Sequence, residues 1–404
     1  MNTTRLIAHL GLATISLVSV SSVMAQASPY YVGVSQAFTK DSNLFRVRDG
    51  LAKTDDLTST TSLLAGINQP IGRQRLFADA VVRHSVFQDN DQLNNTGYGL
   101  NVGIDWATIE KLSGTLAYSL NQTLSSFSTD GAVAVTTSPN LERNRQFLAR
   151  GQMGLDSLLS LEALFTHRNQ DYSAASFAAN EFRQNMASLG AQYRPSGLLT
   201  LGAALRATRG RYPFALGVPG AFQADEYDRN DIDLTAVWTP TGQSKVAVRL
   251  SAGKETHDRV KARDFSGATG AVSWQFKPTG KLTFTTDLIR DTGAETSFNG
   301  FNFANANPIG NNSQLSSAMR VRAGWEATAK IQVNADARYA ERDLVNGLVA
   351  GGTDKFGQLS FGAQYAPARN WLLGCNLAHE KRGGATPAPY NANIVGCSAQ
   401  FKLD

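Results

Sequence analysis

Long apolar segments are scarce in this sequence. After the run from Leu6 to Val20, no stretch offers the roughly 20 consecutive apolar residues that a membrane-spanning helix needs, and the mean hydropathy is −0.22. Aliphatic and aromatic residues instead alternate with polar ones along the rest of the chain. Alternation of this kind is typical of a transmembrane β-barrel, because only every second side chain of a strand meets lipid.

Cysteine is also rare, since the chain has only Cys375 and Cys397. Two thiols with no His pair nearby supply too few ligands for a zinc site. The two cysteines lie equally far from the loop between Arg382 and Tyr390, so antiparallel pairing sets them opposite each other on the outer face. We expect a disulfide if the chain is exported, and the alternative is a pair of free thiols that act as small apolar residues.

Strong charge of either sign is absent. The formal net charge is +5, without long charged runs, and this mild excess gives no indication of nucleic-acid binding. The sequence also has no linker and no shift in composition where a chain of 404 residues could divide. We therefore expect one domain over residues 28–404.

Catalytic signatures are missing as well. His84, His167, His257 and His379 fall near the outer ends of ascending strands, and no G-x-S-x-G motif accompanies them. We interpret them as polar residues of the barrel rim. The acidic pair Asp55-Asp56 lies in a long loop, where solvation is a simpler explanation than calcium binding. The sequence predicts no enzyme, no metal and no cofactor.

The first residues have the features of a secretory signal. Arg5 precedes the apolar run, and small residues lead to Ala25-Gln26-Ala27, which has the pattern of a cleavage site. We predict a signal peptide over residues 1–27 and a mature chain that begins at Ser28.

A hairpin repeats along the chain about every 40 to 50 residues. Each copy joins two alternating segments by a short turn with Pro or Gly, whereas the connections between copies are long and polar, as at 126–143, 212–225 and 292–312. Short turns on one side and long loops on the other are typical of outer-membrane barrels. We predict an all-β antiparallel up-and-down barrel of about 18 strands, with 16 as the alternative, from a first strand near 30–38 to a last near 391–403. Aromatic residues just before the short turns predict a periplasmic girdle: Trp106, Tyr193, Trp238, Phe276, Trp325 and Tyr365.

The alternation also predicts which charged residues face the lumen. The two signs nearly balance, so strong anion selectivity does not follow, and an internal web of salt bridges and a solute-guiding role remain open. Arg206, Arg249 and Arg338 follow their turns at similar distances, so they are candidates for one level of the pore. The predicted lumen residues are Asp79, Arg83, Asp105, Arg150, Asp156, Glu162, Arg168, Arg206, Asp231, Asp233, Arg249, Asp287, Arg320, Arg322, Glu326, Asp336, Arg338 and Arg342.

Three segments resemble a known family: YYVGVSQAFTKDSNLFRV, the stretch from QRLFADAVVRHSVF to GTLAYSL, and the closing IVGCSAQFKLD. The chain resembles the outer-membrane β-barrel proteins of exosortase-associated exopolysaccharide loci, the EpsL type, which are related to a broader family of β-barrel porins. The likeness spans nearly the whole mature chain. The end departs from common barrels, because Lys402, Leu403 and Asp404 follow Phe401.

The resemblance implies a passive outer-membrane channel that takes part in exopolysaccharide export or biosynthesis. Its expected partners are outer-membrane lipid, a polysaccharide and periplasmic export machinery. Two alternatives stay open at this point. One is a general porin for small solutes, and the other is a surface scaffold or adhesin whose barrel is plugged.

Overall fold

The computed structural model describes most of the chain after the predicted signal peptide, which lies outside the described residues. The predicted lumen residue Asp156 lies outside them too. The described residues are 28–109, 111–125, 127, 137–154, 158–217, 221–292, 297–298, 301–302, 313–344, 353–384 and 389–404.

Within these ranges, 18 strands form one antiparallel sheet, which confirms the predicted fold and its strand count. A separate pair of two-residue strands and three short 3₁₀ turns accompany the sheet. The sheet strands are β1 (Tyr30–Asp41), β2 (Asp56–Ile71), β3 (Gln74–Phe87), β4 (Asn95–Ala107), β5 (Leu112–Leu124), β6 (Leu141–Met153), β7 (Leu159–Tyr172), β8 (Phe182–Ser196), β9 (Leu199–Leu216), β10 (Gln223–Thr241), β11 (Ser244–His257), β12 (Phe265–Phe276), β13 (Leu282–Asp291), β16 (Ser313–Glu326), β17 (Ile331–Leu344), β18 (Thr353–Tyr365), β19 (Trp371–Gly384) and β20 (Tyr390–Leu403). The short pair is β14 (Ser297–Phe298) and β15 (Phe301–Asn302), and the 3₁₀ turns are Asp91–Leu93, Ala175–Asn180 and Lys261–Arg263.

The sheet closes on itself. Each strand pairs with its neighbours in the chain, β13 pairs with β16, and the first strand pairs with the last from Val32↔Leu403 to Asp41↔Ile394. Closure leaves no unpaired strand edge, and this allows a sheet to cross a bilayer, where an unpaired backbone group is costly. Within the described residues, no helix is long and apolar enough to cross a membrane.

The two faces of the barrel differ as the alternation predicts. Along β9, Leu201 and Leu205 are exposed on the outer face, whereas Arg206 and Thr208 are buried on the inner face. The six predicted girdle aromatics also lie on the outer face, at the end that carries the short turns. The barrel therefore presents an apolar surface to lipid and a polar surface to its interior.

The ends of the barrel differ in their connections. Two-residue turns join β2 to β3 and β10 to β11, and Gly72 takes a positive φ of 61° in the first of them, as tight hairpins often require. The first and last described strands begin and end at this short-turn side. The loop predicted at 212–225 is shorter than expected, because β9 continues to Leu216 and β10 begins at Gln223. Most of the loop predicted at 292–312 lies outside the described residues.

Candidate functional site

The inner face of the barrel is the candidate site. Its strands place all six principal lumen candidates on the inward face: Asp79, Arg83, Arg206, Arg249, Asp336 and Arg338. The structure does not bring these residues into one cluster. They fall in three sectors of the interior, on β3, on β9 and β11, and on β17, and these sectors differ in how their charges are held.

One sector, which we name the packed wall, consists of the inward-facing charged residues of β9–β13. Arg229 is its centre, with a side chain that is 0% exposed. Its Nε donates to Asp231 at 2.8 Å and its Nη1 donates to Asp291 at 2.8 Å. The packed wall also includes Arg206, Asp233, Arg249 and Glu255.

Arg206 and Arg249 are members of this buried network. The guanidinium of Arg206 donates two hydrogen bonds to Asp233, at 2.8 and 3.1 Å, and lies 3.3 Å from Asp231. Arg249 lies 3.7 Å from Asp291. Their side chains are only 2% and 3% exposed. Both arginines are therefore oriented inward but sealed within the wall.

A histidine at the loop-side end of the packed wall fixes a loop. His257 Nδ1 lies 2.7 Å from Asp225 and its Nε2 lies 3.1 Å from Glu255. Asp225 also accepts the backbone N–H groups of Arg259 and Val260. His257 lies at the long-loop end of β11, where the sequence placed it, but its side chain is buried and faces inward. The role that the contacts give it is structural.

The remaining described histidines match the rim interpretation better. His84, His167 and His379 face outward, and each has one polar neighbour on the adjacent strand. Among the described residues, no group of three or more His, Cys, Asp or Glu side chains is placed to hold a metal ion.

A second sector, which we name the open wall, consists of the inward-facing charged residues of β3–β7. Arg75 pairs with Asp105 at 3.0 Å, and both side chains are almost 40% exposed. Arg150 pairs with Glu162 at 2.7 Å, and its side chain is 39% exposed. Ion pairs that water can reach exchange partners at low cost. Asp79 and Arg83 also belong to the open wall.

Gly66 makes room for an aromatic side chain, that of Tyr31, which reaches Asp79 of the open wall. Tyr31 donates its hydroxyl to Asp79 at 2.8 Å, and the ammonium of Lys402 lies 4.1 Å from the centre of the Tyr31 ring. The ring crosses Gly66, where a Cβ atom would lie 2.3 Å from it. The glycine thus allows the aromatic ring to lie along the wall and not across the interior.

Next to the packed wall, on the side away from the open wall, β16 and β17 carry a second set of charges. Arg320 donates to Asp336 at 2.6 Å, and Arg322 donates to Asp287 at 2.6 Å. Arg338 lies directly opposite Arg320 in the strand register, and its Nε has no hydrogen-bond partner among the described residues. Arg338 is only partly buried, so it is a better candidate than Arg206 or Arg249 for contact with a passing solute.

The loop between β1 and β2 folds over the mouth at the long-loop end. Arg46 in this loop donates to Asp41 at 2.8 Å and to the inward-facing Glu380 at 3.1 Å, and its guanidinium lies 5.8 Å from the centre of the Tyr390 ring. Burial alone would lower the pKa of Arg46, but Glu380 and Asp41 outweigh burial and raise it. Phe45 in the same loop packs edge-on against Phe127. These contacts hold the loop against the inner rim.

The cysteines lie away from the interior. Cys375 and Cys397 stand directly opposite each other on β19 and β20, on the outer face, and the structure joins them by a disulfide. The disulfide therefore lies outside the candidate site, and its role is structural.

Sequence reasoning missed several of these functional positions. Arg229 shares the parity of Asp231 and Asp233, and that parity could have placed it inside. Arg46 and Tyr31 gave no such signal, because a loop has no alternation and an aromatic side chain fits either face.

Comparisons with known proteins give the fold a context. No family model matches the chain, and no curated protein matches it. Solved structures from Pseudomonas aeruginosa, among them the outer-membrane protein OpdK, are similar to it. OpdK matches at a TM-score of 0.51 and 14% identity, over 93% of this chain and 99% of that one. OccK2 (OpdF) matches at 0.50 and 13%, over 93% of this chain and 98% of that one. The chain therefore shares the fold of these proteins, a closed antiparallel β-barrel whose described residues form 18 strands.

Proposed function

We propose that the protein is a passive outer-membrane channel for small water-soluble solutes. The observation that carries this proposal is the open wall, where charged pairs such as Arg75–Asp105 remain accessible inside a closed barrel. The porin fold supports the same conclusion. A barrel of 18 strands is wide enough to enclose an aqueous passage.

The open wall would guide solutes through weak, repeated contacts. Paired guanidinium and carboxylate groups offer both donors and acceptors, so a hydrated solute can exchange one partner for the next. Conduction requires binding that is strong enough for entry and weak enough for release. The packed wall would serve a different purpose, because its charges pair with one another and stiffen that part of the barrel.

This proposal favours a porin for small solutes, which the sequence left as an alternative, over exopolysaccharide export, which was the main expectation. The resemblance to exopolysaccharide-locus barrels implies a polymer as cargo, whereas the structural neighbours are porins and give that cargo no support. The polysaccharide role stays a prediction of the resemblance alone.

The test is solute uptake by liposomes that contain the protein purified from outer membranes. We expect swelling in monosaccharide and disaccharide solutions at a rate that falls with solute size, and no swelling in protein-free liposomes. Absence of swelling with every small solute would contradict the proposal. If conductance is also negligible, the plugged scaffold becomes the better account.

A further inference from the structure

The outer face of the barrel carries a group of arginines that the channel function does not use. They lie on β6, β8 and β9, close to the long-loop end, and all occupy outward positions. We name this group the outer arginine patch. Its members are Arg143, Arg145, Arg183, Arg209 and Arg211.

The register of the strands brings these side chains together. Arg183 stands directly opposite Arg211, and Asn169 joins Arg183 to Arg145 across β7. Directly opposed residues on one face have Cβ atoms about 4.5–5.5 Å apart, and like charges at such positions destabilise the pair. An anion bound between the two guanidinium groups would remove this repulsion.

Nearby acids neutralise only part of the patch. Arg145 pairs with Asp171, Arg209 with Asp228 at 2.8 Å, and Arg211 with Glu226 at 3.7 Å.

The other two arginines have no acidic partner of this kind. Arg143 donates to the neutral Gln122. Arg183 forms no hydrogen bond or ion pair with any described residue. Glu181 interacts electrostatically with Arg183 without forming an ion pair with it, so the positive charges of Arg143 and Arg183 are at most partly compensated.

The height of the patch places it at the lipid headgroups. On β9, apolar residues occupy the outward positions from Leu199 to Ala207, and Arg209 and Arg211 follow directly. That apolar segment is about 26 Å long at about 3.3 Å per residue, or about 20 Å high at a strand tilt of about 40°. The apolar band of such barrels is about 25 Å tall, so the arginines lie near its outer boundary.

The choice of arginine indicates the chemistry of the ligand. Arginine binds phosphate through two parallel hydrogen bonds, which lysine cannot do. Among the described strands, the other outward basic residues near the long-loop end are mostly lysines: Lys40, Lys254, Lys355, Lys381 and Arg290.

We propose that the outer arginine patch binds the phosphate groups of a phosphorylated glycolipid in the outer leaflet, of the lipopolysaccharide type. Arg183 and Arg211 hold one phosphate between them, and Arg143 extends the positive surface toward the sugar headgroup. The apolar positions below the patch contact the acyl chains of the same lipid. This site is independent of conduction, so it can fail while the channel function stands.

The experiment is native mass spectrometry of the detergent-purified protein with bisphosphorylated lipid A as the probe. The variant Arg183→Gln/Arg211→Gln should bind lipid A at least about tenfold more weakly, because two charge-assisted contacts to phosphate are lost. The matched control Lys355→Gln/Lys381→Gln removes the same charge from another sector and should bind as the native protein does. A gel shift between unboiled and boiled samples verifies that both variants fold.

Further binding measurements distinguish lipid-bound phosphate from free inorganic phosphate as the ligand. Dephosphorylated lipid A should bind the native protein as weakly as bisphosphorylated lipid A binds the double variant. Displacement of lipid A by millimolar inorganic phosphate would assign the patch to a small anion and overturn the proposal. Equal weakening in the lysine control would overturn it too.

If the double variant does not fold, the single variants Arg183→Gln and Arg183→Lys replace it. Weaker binding in both, with the larger loss in Arg183→Gln, supports phosphate recognition. Unchanged binding in both contradicts it.

Discussion

The packed wall and the open wall use the same residue types in opposite ways. In the packed wall, the side chains of Arg206, Arg229 and Arg249 are 0–3% exposed and bound to carboxylates. In the open wall, Arg75 and Arg150 also have carboxylate partners, but they keep 38% and 39% of their surface. Burial distinguishes the two walls, and charge does not.

The comparison shows that an inward-facing charge is not always a channel residue. A buried ion pair has lost its water, so removal of one partner leaves an uncompensated charge and costs several kcal/mol. An exposed pair contributes about 0–1 kcal/mol and remains free to meet a solute. We therefore assign stability to the packed wall and solute contact to the open wall.

The largest expected effect is on the packed wall. Arg229→Met should destabilise the barrel by about 3–5 kcal/mol, because Asp231 and Asp291 lose their common partner. The matched control Arg75→Met on the open wall should cost about 0–1 kcal/mol. Urea unfolding of both variants in lipid vesicles provides the measurement. Equal losses would end the distinction between the walls.

Removal of the disulfide should lower stability without altering the charges of either wall. Cys375→Ser/Cys397→Ser should lower stability by about 3 kcal/mol, as expected for a bond that closes a loop of this length. Conductance should stay the same, because both cysteines lie on the outer face. Thiol titration of the denatured, unreduced protein should find no free thiol. Two free thiols would refute the bond.

Alanine substitutions at glycines that lie against aromatic rings test how rigidly each wall holds its neighbouring side chains. Gly210→Ala places a Cβ atom 2.3 Å from the ring of Tyr227, which hydrogen-bonds to Gln184 and stacks on His257, so the ring cannot move away. We expect a cost of about 1–3 kcal/mol from overpacking.

Two other glycines serve as controls for this prediction. Gly66→Ala should cost less, since Tyr31 beside the open wall is only partly buried and can turn toward the interior, whereas Tyr227 is 4% exposed. Gly151→Ala has no heavy atom within 4 Å of the new Cβ and should be nearly neutral. Thermal unfolding in detergent ranks the three variants. A larger loss in Gly66→Ala would contradict the account.

The smallest expected effect, in free energy, is the change in ion selectivity when one lumen charge is reversed. Arg83→Glu or Arg338→Glu should shift the channel toward cations by about fivefold in permeability ratio, because unit charges about 4 Å apart in water interact by about 1 kcal/mol. Reversal potentials in a salt gradient measure the shift. Arg206→Glu should impair folding instead. A folded Arg206→Glu variant with the larger shift would reverse the assignment of the walls.

The strands and their faces could be predicted from the sequence because alternation depends only on neighbouring residues. The same pattern placed Arg206, Arg249 and Arg338 inside. It could not predict that the first two are buried, because their partners Asp233 and Asp291 depend on register and on packing across the barrel. The position of Arg46 could not be predicted for a related reason, because the path of a loop depends on contacts with distant residues.

The central claim is that the closed barrel encloses an aqueous passage along the open wall. The most direct test is single-channel recording of the purified protein in a planar bilayer. We predict discrete conductance steps that remain when secreted polysaccharide is added, with ion preference altered by Arg83→Glu and not by Cys375→Ser/Cys397→Ser. A folded protein that produces no conductance steps would contradict the claim.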